Sequence, residues 1–212
     1  NYWKKIVNNL NFNKKYNKKN NLINYGKEIR SEVIIKHLKI SKDKIEFIDH
    51  SYGHAAYAYC SGINNGKKST VITVDAYGDD INYSCYKFYK KNNKIFSKKI
   101  VNGSNFIIGR LYRYITLLLG FKPNEHEYKL MGMAPYSKSK YFSKLLKTFE
   151  EMQEVKKLIF KFKKKPKDMY FDIKNKINGN RFDVICGALQ KYTENLLINW
   201  IKNCIKITKF KK

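Results

Sequence analysis

Apolar residues recur along this chain at the spacings of amphipathic helices and half-buried strands. Steps of three and four residues predict helices over residues 28–38, 106–119, 141–154 and 182–206, with a shorter helix over 125–131. β-Branched and alternating runs predict strands over residues 44–48, 69–75, 81–89 and 94–101. The strand over residues 69–75 should be buried. With the two strands that follow it, it forms a β-meander that turns first at Asp and Gly residues and then at Asn92-Asn93. The pattern therefore predicts an α/β chain in which a meander precedes a helical part.

Two histidines, His50 and His54, lie four residues apart in a segment that we expect to be helical. Positions i and i+4 share one helix face, so both imidazoles can hold the same metal ion. Two imidazoles with one or two oxygen ligands suit Fe(II), Zn(II) or Mn(II) and leave a position for substrate. The small residues Gly53, Ala55 and Ala56 would let another backbone approach closely. Because an H-x-x-x-H spacing is common by chance, a helix cap and a buried packing histidine stay open as the alternative.

A second group of polar residues follows the predicted strand over residues 69–75. The chain there contains Asp75, Gly78 and Asp79. A tight loop at Gly78 can bring backbone N–H groups close to a phosphate, and carboxylates at its rim can hold a metal or orient water. A plain hairpin turn, in which Asp and Gly are favoured anyway, is the alternative.

Three sequence blocks follow one another along the chain. They are His50-x-x-x-His54-Ala55-Ala56, then Thr73-Val74-Asp75-x-x-Gly78-Asp79, then a run from Leu118 to Tyr136 that contains Glu-x-Lys-x-Met-Gly-x-Ala-x-Tyr. In this order they resemble the O-carbamoyltransferases of the nodulation and antibiotic-tailoring type, over residues 44–208. The resemblance implies a ribonuclease-H-like or actin-like ATPase fold that is incomplete here, one half with flanking helices. Residues 1–43 would be connecting helices of a preceding subdomain, and residues 44–212 a segment of the catalytic domain.

The resemblance implies an enzyme that uses ATP to transfer a carbamoyl group from carbamoyl phosphate, through a carbamoyl-adenylate, to a hydroxyl group of a small molecule. His50 and His54 would bind a divalent metal, with Fe(II) the expected ion, as a Lewis acid. Asp75, Gly78 and Asp79 would face the phosphates of ATP and its Mg²⁺. Asp75 would also be catalytic, either by orienting Mg²⁺ or as a base toward the acceptor hydroxyl, and both roles stay open.

Lys129 is the second catalytic residue that the resemblance implies, because its ammonium group would neutralise charge on phosphate or carbamoyl oxygens. A surface ion pair with Glu125 or Glu127 is an equally open interpretation. His126 and His37 are expected to be packing or surface histidines.

The chain departs from the family pattern at two positions and at both ends. Ser51 stands where a further histidine is common, and Ala76 stands where glycine is common, which would strain the backbone if φ were positive there. The family's first strand, first phosphate loop, adenosine-binding segment and third metal ligand, an aspartate, would lie outside these 212 residues. We therefore expect an internal fragment of a longer enzyme, inactive alone.

Composition narrows the class of protein. A chain of 212 residues with 43% hydrophobic content can bury one core, and no apolar run reaches the roughly 18 residues of a membrane helix. The four cysteines lack the spacing of a zinc or disulfide framework, which favours small core residues in a reducing compartment. We expect a cytoplasmic protein without a membrane partner, and a homodimer for the full-length enzyme.

The net charge of +27 suggests nucleic acid at first sight. The basic residues are almost all lysines spread over every segment, beside abundant Asn, Ile and Tyr, so a coding bias explains them better than a phosphate-binding face. Nucleic acid is therefore not an expected partner. Two other functions stay open: an enzyme like those that place threonylcarbamoyl on tRNA, which also use an H-x-x-x-H pair, and a non-catalytic basic binding protein derived from this fold.

Overall fold

The computed structural model describes residues 19–62 and 66–210. The part of the predicted connecting helices that falls on residues 1–18 lies outside the described residues. Tertiary contacts divide the chain into two units, residues 1–49 and 50–212. The domain boundary that the sequence predicts after residue 43 stays a prediction.

The described part of the first unit, from residue 19 onward, contains a long helix, α1 (Lys19–Leu38), followed by a 3₁₀ turn over Lys42–Lys44. The helix predicted over residues 28–38 is confirmed and begins earlier. The strand predicted over residues 44–48 is wrong: the backbone at Ile45 is extended, but no described segment pairs with it in a ladder. A strand needs a hydrogen-bonded neighbour, which a local pattern does not specify.

The second unit contains a three-stranded antiparallel sheet. Its strands are β1 (Ser69–Gly78), β2 (Ile81–Lys91) and β3 (Lys94–Gly103), with β2 in the centre. The predicted meander is therefore confirmed. The side chains of β1 are exposed at residues 74–77, so the prediction of a buried strand holds only for its first half.

Both turns of the meander are two-residue turns with positive φ at each central residue. Asp79 and Asp80 have φ of 51° and 62°, and Asn92 and Asn93 have φ of 49° and 58°. Asp and Asn tolerate this left-handed conformation, and such turns match the twist of the paired strands. Gly78 belongs to β1 and lies before the turn, so the predicted glycine-bearing loop is a plain hairpin turn.

The helices of the second unit are α2 (His50–Ser61), α3 (Ile108–Leu118), α4 (Glu127–Met133), α5 (Ser139–Glu150), α6 (Met169–Ile177) and α7 (Phe182–Thr208). The helices predicted over residues 106–119, 125–131 and 182–206 are confirmed, with ends that differ by a residue or two. α6 was not predicted. It begins after Asp168, whose side chain accepts a hydrogen bond from the Phe171 N–H at 3.1 Å and so caps the helix.

A second hairpin, β4 (Gln153–Lys156) and β5 (Ile159–Phe162), was also not expected. The helix predicted to reach residue 154 ends at Glu150 instead. In so short a run the apolar residues fit a helical stripe as well as a strand alternation. The tertiary contacts that bury Phe160 in the core favour the strand over the helix.

The main core of the second unit is formed by residues of the sheet, α3, α5, β5 and α7. Its fully buried members include Tyr83, Leu111, Ile115, Phe149, Phe160, Tyr192 and Trp200. Cys85, Cys186 and Cys204 are buried there as reduced thiols, in agreement with their predicted packing role, whereas Cys60 is exposed. Among the described helices, none combines the length and the apolar character that crossing a membrane requires. The molecule is thus mixed α/β, as predicted.

Candidate metal centre

Helix α2 is held against the sheet by one buried face. Ser51, Ala55 and Tyr59 lie at four-residue steps on this face and are buried. They pack with the buried side chains Val71, Tyr86 and Phe88 of β1 and β2. The Ser51 hydroxyl also shares a buried hydrogen bond of 2.8 Å with the Tyr86 hydroxyl. Ser51 therefore anchors the helix.

The two histidines occupy the neighbouring face of α2, one helical turn apart. The Nε2 atoms of His50 and His54 are 3.1 Å apart, and the ring centroids 4.5 Å apart. Their side chains are 40% and 56% exposed. Both imidazoles thus present Nε2 to the same point while one side remains open to solvent.

Asp75 brings a carboxylate from β1 to this point. Its Oδ2 lies 2.5 Å from His50 Nε2 and 3.4 Å from His54 Nε2. Its Oδ1 accepts a hydrogen bond of 2.6 Å from the Ala76 N–H. The hydrogen bond with His50, and then the one from Ala76, hold the pKa of Asp75 below its ordinary value against the opposing effect of burial, and the charges of the two imidazoles act in the same lowering direction. The carboxylate is therefore ionised and oriented.

These three side chains fit a divalent transition metal in both chemistry and spacing. Metal–nitrogen bonds of about 2.0–2.1 Å at angles between octahedral and tetrahedral place two ligand atoms roughly 2.9–3.4 Å apart. The 3.1 Å and 3.4 Å separations at His54 fall in this range, and only the 2.5 Å contact between His50 and Asp75 would have to open. Two imidazoles and one carboxylate with open positions are the ligand set of many non-haem Fe(II) sites.

Gly78 and Asp79, predicted to contact a nucleotide, here hold His50 in place. A Cβ on Gly78 would lie 2.0 Å from His50 Cδ2, so the imidazole packs directly over the glycine backbone. Asp79 Oδ2 accepts a hydrogen bond of 2.8 Å from the His50 N–H and so caps the first turn of α2. Of the small residues predicted to allow a close approach, Ala55 is buried against the sheet, whereas no described neighbour lies within 4 Å of the Cβ position of Gly53. The predicted nucleotide contacts of Gly78 and Asp79 stay predictions.

Lys129 lies on α4, and its described contacts do not include the histidines or Asp75. Its Nζ is 5.6 Å from the ring centre of Phe121 and 6.0 Å from that of Tyr128. The alternative of an ion pair is not seen: the Glu125 carboxylate pairs with Lys122 Nζ at 2.5 Å, and the Glu127 carboxylate accepts the Asn124 N–H at 2.6 Å. The predicted catalytic role of Lys129 stays a prediction.

The predicted packing role of His126 agrees with its contacts. Its Nδ1 accepts a hydrogen bond of 3.2 Å from the Lys122 N–H, and its ring lies edge-on to Phe121 and Tyr128. His37 is exposed near the end of α1.

Sequence reasoning missed that Asp75 meets the histidines, although element lengths contain the signal. A 12-residue helix is about 18 Å long, and the six steps from Ser69 to Asp75 span about 20 Å of strand. A strand that returns along the helix therefore brings Asp75 back to the first turn, where His50 lies.

Comparison with known proteins gives a family. The family model described as carbamoyltransferase N-terminus matches residues 3–210. The uncharacterised protein MJ1051 of Methanocaldococcus jannaschii is 31% identical over 118 residues, 55% of this chain and 22% of that protein.

Two further relatives are similar to part of this chain. MJ1058 of the same organism is 30% identical over 139 residues, and sll1178 of Synechocystis is 31% identical over 100 residues; both are uncharacterised. They align with 60% and 47% of this chain, which in turn spans 21% and 15% of their lengths. The chain thus spans about a fifth or less of these relatives.

Proposed function

The chain belongs to the carbamoyltransferase N-terminus family, and we propose that it contributes a metal centre to ATP-dependent transfer of a carbamoyl group from carbamoyl phosphate to a hydroxyl group of a small molecule. The intermediate of this proposal is a carbamoyl-adenylate, and the fold is one half of an actin-like ATPase domain. Family membership supports carbamoyl transfer in general. The ATP dependence, the intermediate and the acceptor class rest on the resemblance of the sequence blocks.

One observation carries the proposal: His50, His54 and Asp75 converge from a helix and a strand, with ligand atoms within 4.8 Å of one another. When a divalent ion such as Fe(II) is bound, it supplies a Lewis acid for carbonyl or phosphate oxygens. The protein's part is preorganisation. Asp79 and Gly78 hold the His50 ring, and the Ala76 N–H orients the Asp75 carboxylate.

The residues around the centre also suggest how a substrate would be received. The histidines are half-exposed on one side, so a phosphate or carbamoyl oxygen can approach without displacing the core. The lowered pKa keeps Asp75 ionised and able to hold a metal, and it also makes this carboxylate a weak base toward an acceptor hydroxyl, which favours an orienting role for Asp75. Lys129, with no carboxylate pair among its described contacts, would supply positive charge to the same anions.

The test is metal binding by wild type, by two double variants and by one single variant. We expect one Fe(II) or Co(II) per chain, abolished in His50→Ala/His54→Ala and weakened at least about tenfold in Asp75→Asn. The matched control His37→Ala/His126→Ala removes the same number of imidazoles away from the centre and should bind like wild type.

Equal metal content in wild type and His50→Ala/His54→Ala would refute the metal centre. Carbamoyl transfer is tested separately, as carbamoylation of an alcohol that requires both ATP and carbamoyl phosphate, in a protein that carries this chain with its flanking sequence. Transfer that persists in His50→Ala/His54→Ala would refute the metal's part in it.

A further inference from the structure

A cavity in the unit formed by residues 50–212 is lined by basic side chains. It has a volume of about 320 Å³, at the lower end for small-molecule sites. Its wall consists of Tyr77 on β1, the loop 104–107, Arg110 on α3, Phe162 on β5, the segment 165–167, and Met169 on α6. We call it the basic cavity.

The charges at the basic cavity are of one sign. Arg110, Lys165 and Lys167 line it, and no Asp or Glu does so within the described part of the chain. Arg110 lies 5.8 Å from the ring centre of Tyr77, a cation–π contact that uses no carboxylate. The neighbouring Asp168 is engaged in capping α6. Three cations that line one cavity outnumber the single neighbouring carboxylate of Asp168, and this excess of positive charge favours an anionic ligand.

The loop that forms one wall is fixed from below by two buried amide side chains. Asn82 donates to the Phe106 carbonyl at 2.7 Å and accepts from the Phe106 N–H at 3.2 Å. Gln153 donates from Nε2 to the Asn105 carbonyl. Asn82 and Gln153 are 5% and 2% exposed, so the wall is preorganised and not a surface loop free to collapse.

Helix α3 starts at this wall without a side-chain cap and without an acidic residue in its first turn. Its first backbone N–H groups therefore add to the positive potential that the three cations create. Phe106, Phe162 and Met169 line the remaining surface and are buried or half-buried. The cavity thus joins a cationic rim to an apolar wall.

We infer that the basic cavity binds a small organic phosphate, with the phosphoryl group between Arg110, Lys165 and Lys167 and the organic part against the apolar wall. A dianionic phosphoryl group matches three cations better than a single carboxylate does, and Arg offers paired donors for its oxygens. The inference does not depend on the metal centre, since none of the metal-ligating residues lines the cavity.

The test is calorimetric titration of the chain with phenyl phosphate and with inorganic phosphate at constant ionic strength. Lys165→Gln/Lys167→Gln removes two lining cations. The matched control Lys163→Gln/Lys164→Gln removes the same charge from adjacent exposed positions that do not line the cavity. We expect phenyl phosphate to bind more tightly than inorganic phosphate, with a loss of at least about tenfold in the first variant and within about twofold in the control.

Three results would overturn the inference. Absence of phenyl phosphate binding to wild type would exclude the site. An equal loss in both double variants would show unspecific attraction by the basic surface. Equal affinity for inorganic and phenyl phosphate would exclude a role for the apolar wall and hence an organic ligand.

Discussion

Replacement of Gly78 by alanine should damage the metal centre far more than the fold. The added Cβ would lie 2.0 Å from His50 Cδ2 and 2.6 Å from its Nε2, whereas ordinary contacts begin at 3.4 Å. The imidazole must therefore move by about 1.4 Å, the difference between 3.4 Å and 2.0 Å. Such a shift exceeds the roughly 0.5 Å tolerance of a preorganised site.

The two energetic consequences differ in size. His50 is 40% exposed, so its ring can swing toward solvent, and the free energy of unfolding should fall by no more than the roughly 1–3 kcal/mol typical of overpacking. Gly78 supports a ligand from outside the metal's ligand shell, and loss of such a support should lower metal affinity by up to about 100-fold. At a metal concentration 100 times the wild-type Kd, binding stabilises wild type by about 2.7 kcal/mol but the variant by only about 0.4 kcal/mol.

The assay is thermal unfolding with and without Co(II), together with direct titration of Co(II). Gly53→Ala is the matched control, because it lies on the same helix with nothing within 4 Å of the new methyl group. It should keep wild-type affinity and gain up to about 1 kcal/mol in stability from the helix propensity of alanine. If Gly78→Ala binds Co(II) as wild type does, the packing of His50 over this glycine does not define the site.

Three further results are expected. Ser51→Ala should lower the free energy of unfolding in urea by about 1–3 kcal/mol, because the buried Tyr86 hydroxyl loses this partner. A double-mutant cycle with Tyr86→Phe should show coupling between the two positions, and additive costs would contradict the shared hydrogen bond. Burial, with the charge of Asp183, raises the pKa of the Cys186 thiol from 9.0 to about 11. The stability that the protonated thiol contributes is therefore complete below pH 9 and is lost as the pH rises through 11. Cys186→Ala should reduce this loss of stability at alkaline pH, measured by urea unfolding. Lys129→Ala should reduce carbamoyl transfer strongly but the free energy of unfolding by less than about 1 kcal/mol, since its described contacts are cation–π contacts; equal effects on both would mark it as a structural residue.

Local order along the chain was accessible from the sequence because it depends on neighbours a few residues away. The meander, the core helix α3 and the long helix α7 follow from periodicity, and the Asn92-Asn93 turn follows from the tolerance of Asn for positive φ. The family was also recognisable, since three separate blocks occur in the right order.

The errors concern segments whose state depends on a distant partner. Residues 44–48 have the composition of a strand but no described strand to pair with, and residues 153–162 form a hairpin because Phe160 is buried in the core. Gly78 was expected to lie in a loop, yet it belongs to β1 and lies beneath the His50 ring. The local composition of a segment is the same whether or not its distant partner is present, so composition alone cannot predict which state the segment adopts.

By itself the sequence determined that two imidazoles share one helix face, because helical spacing alone places His50 and His54 together. Only the tertiary structure decided that Asp75 completes the group and that Asp79 caps the helix. Those contacts join residues 25 and 29 positions apart. They depend on how β1 returns along α2 and on which face of the helix the Ser51–Tyr86 anchor buries, and packing across the chain sets both.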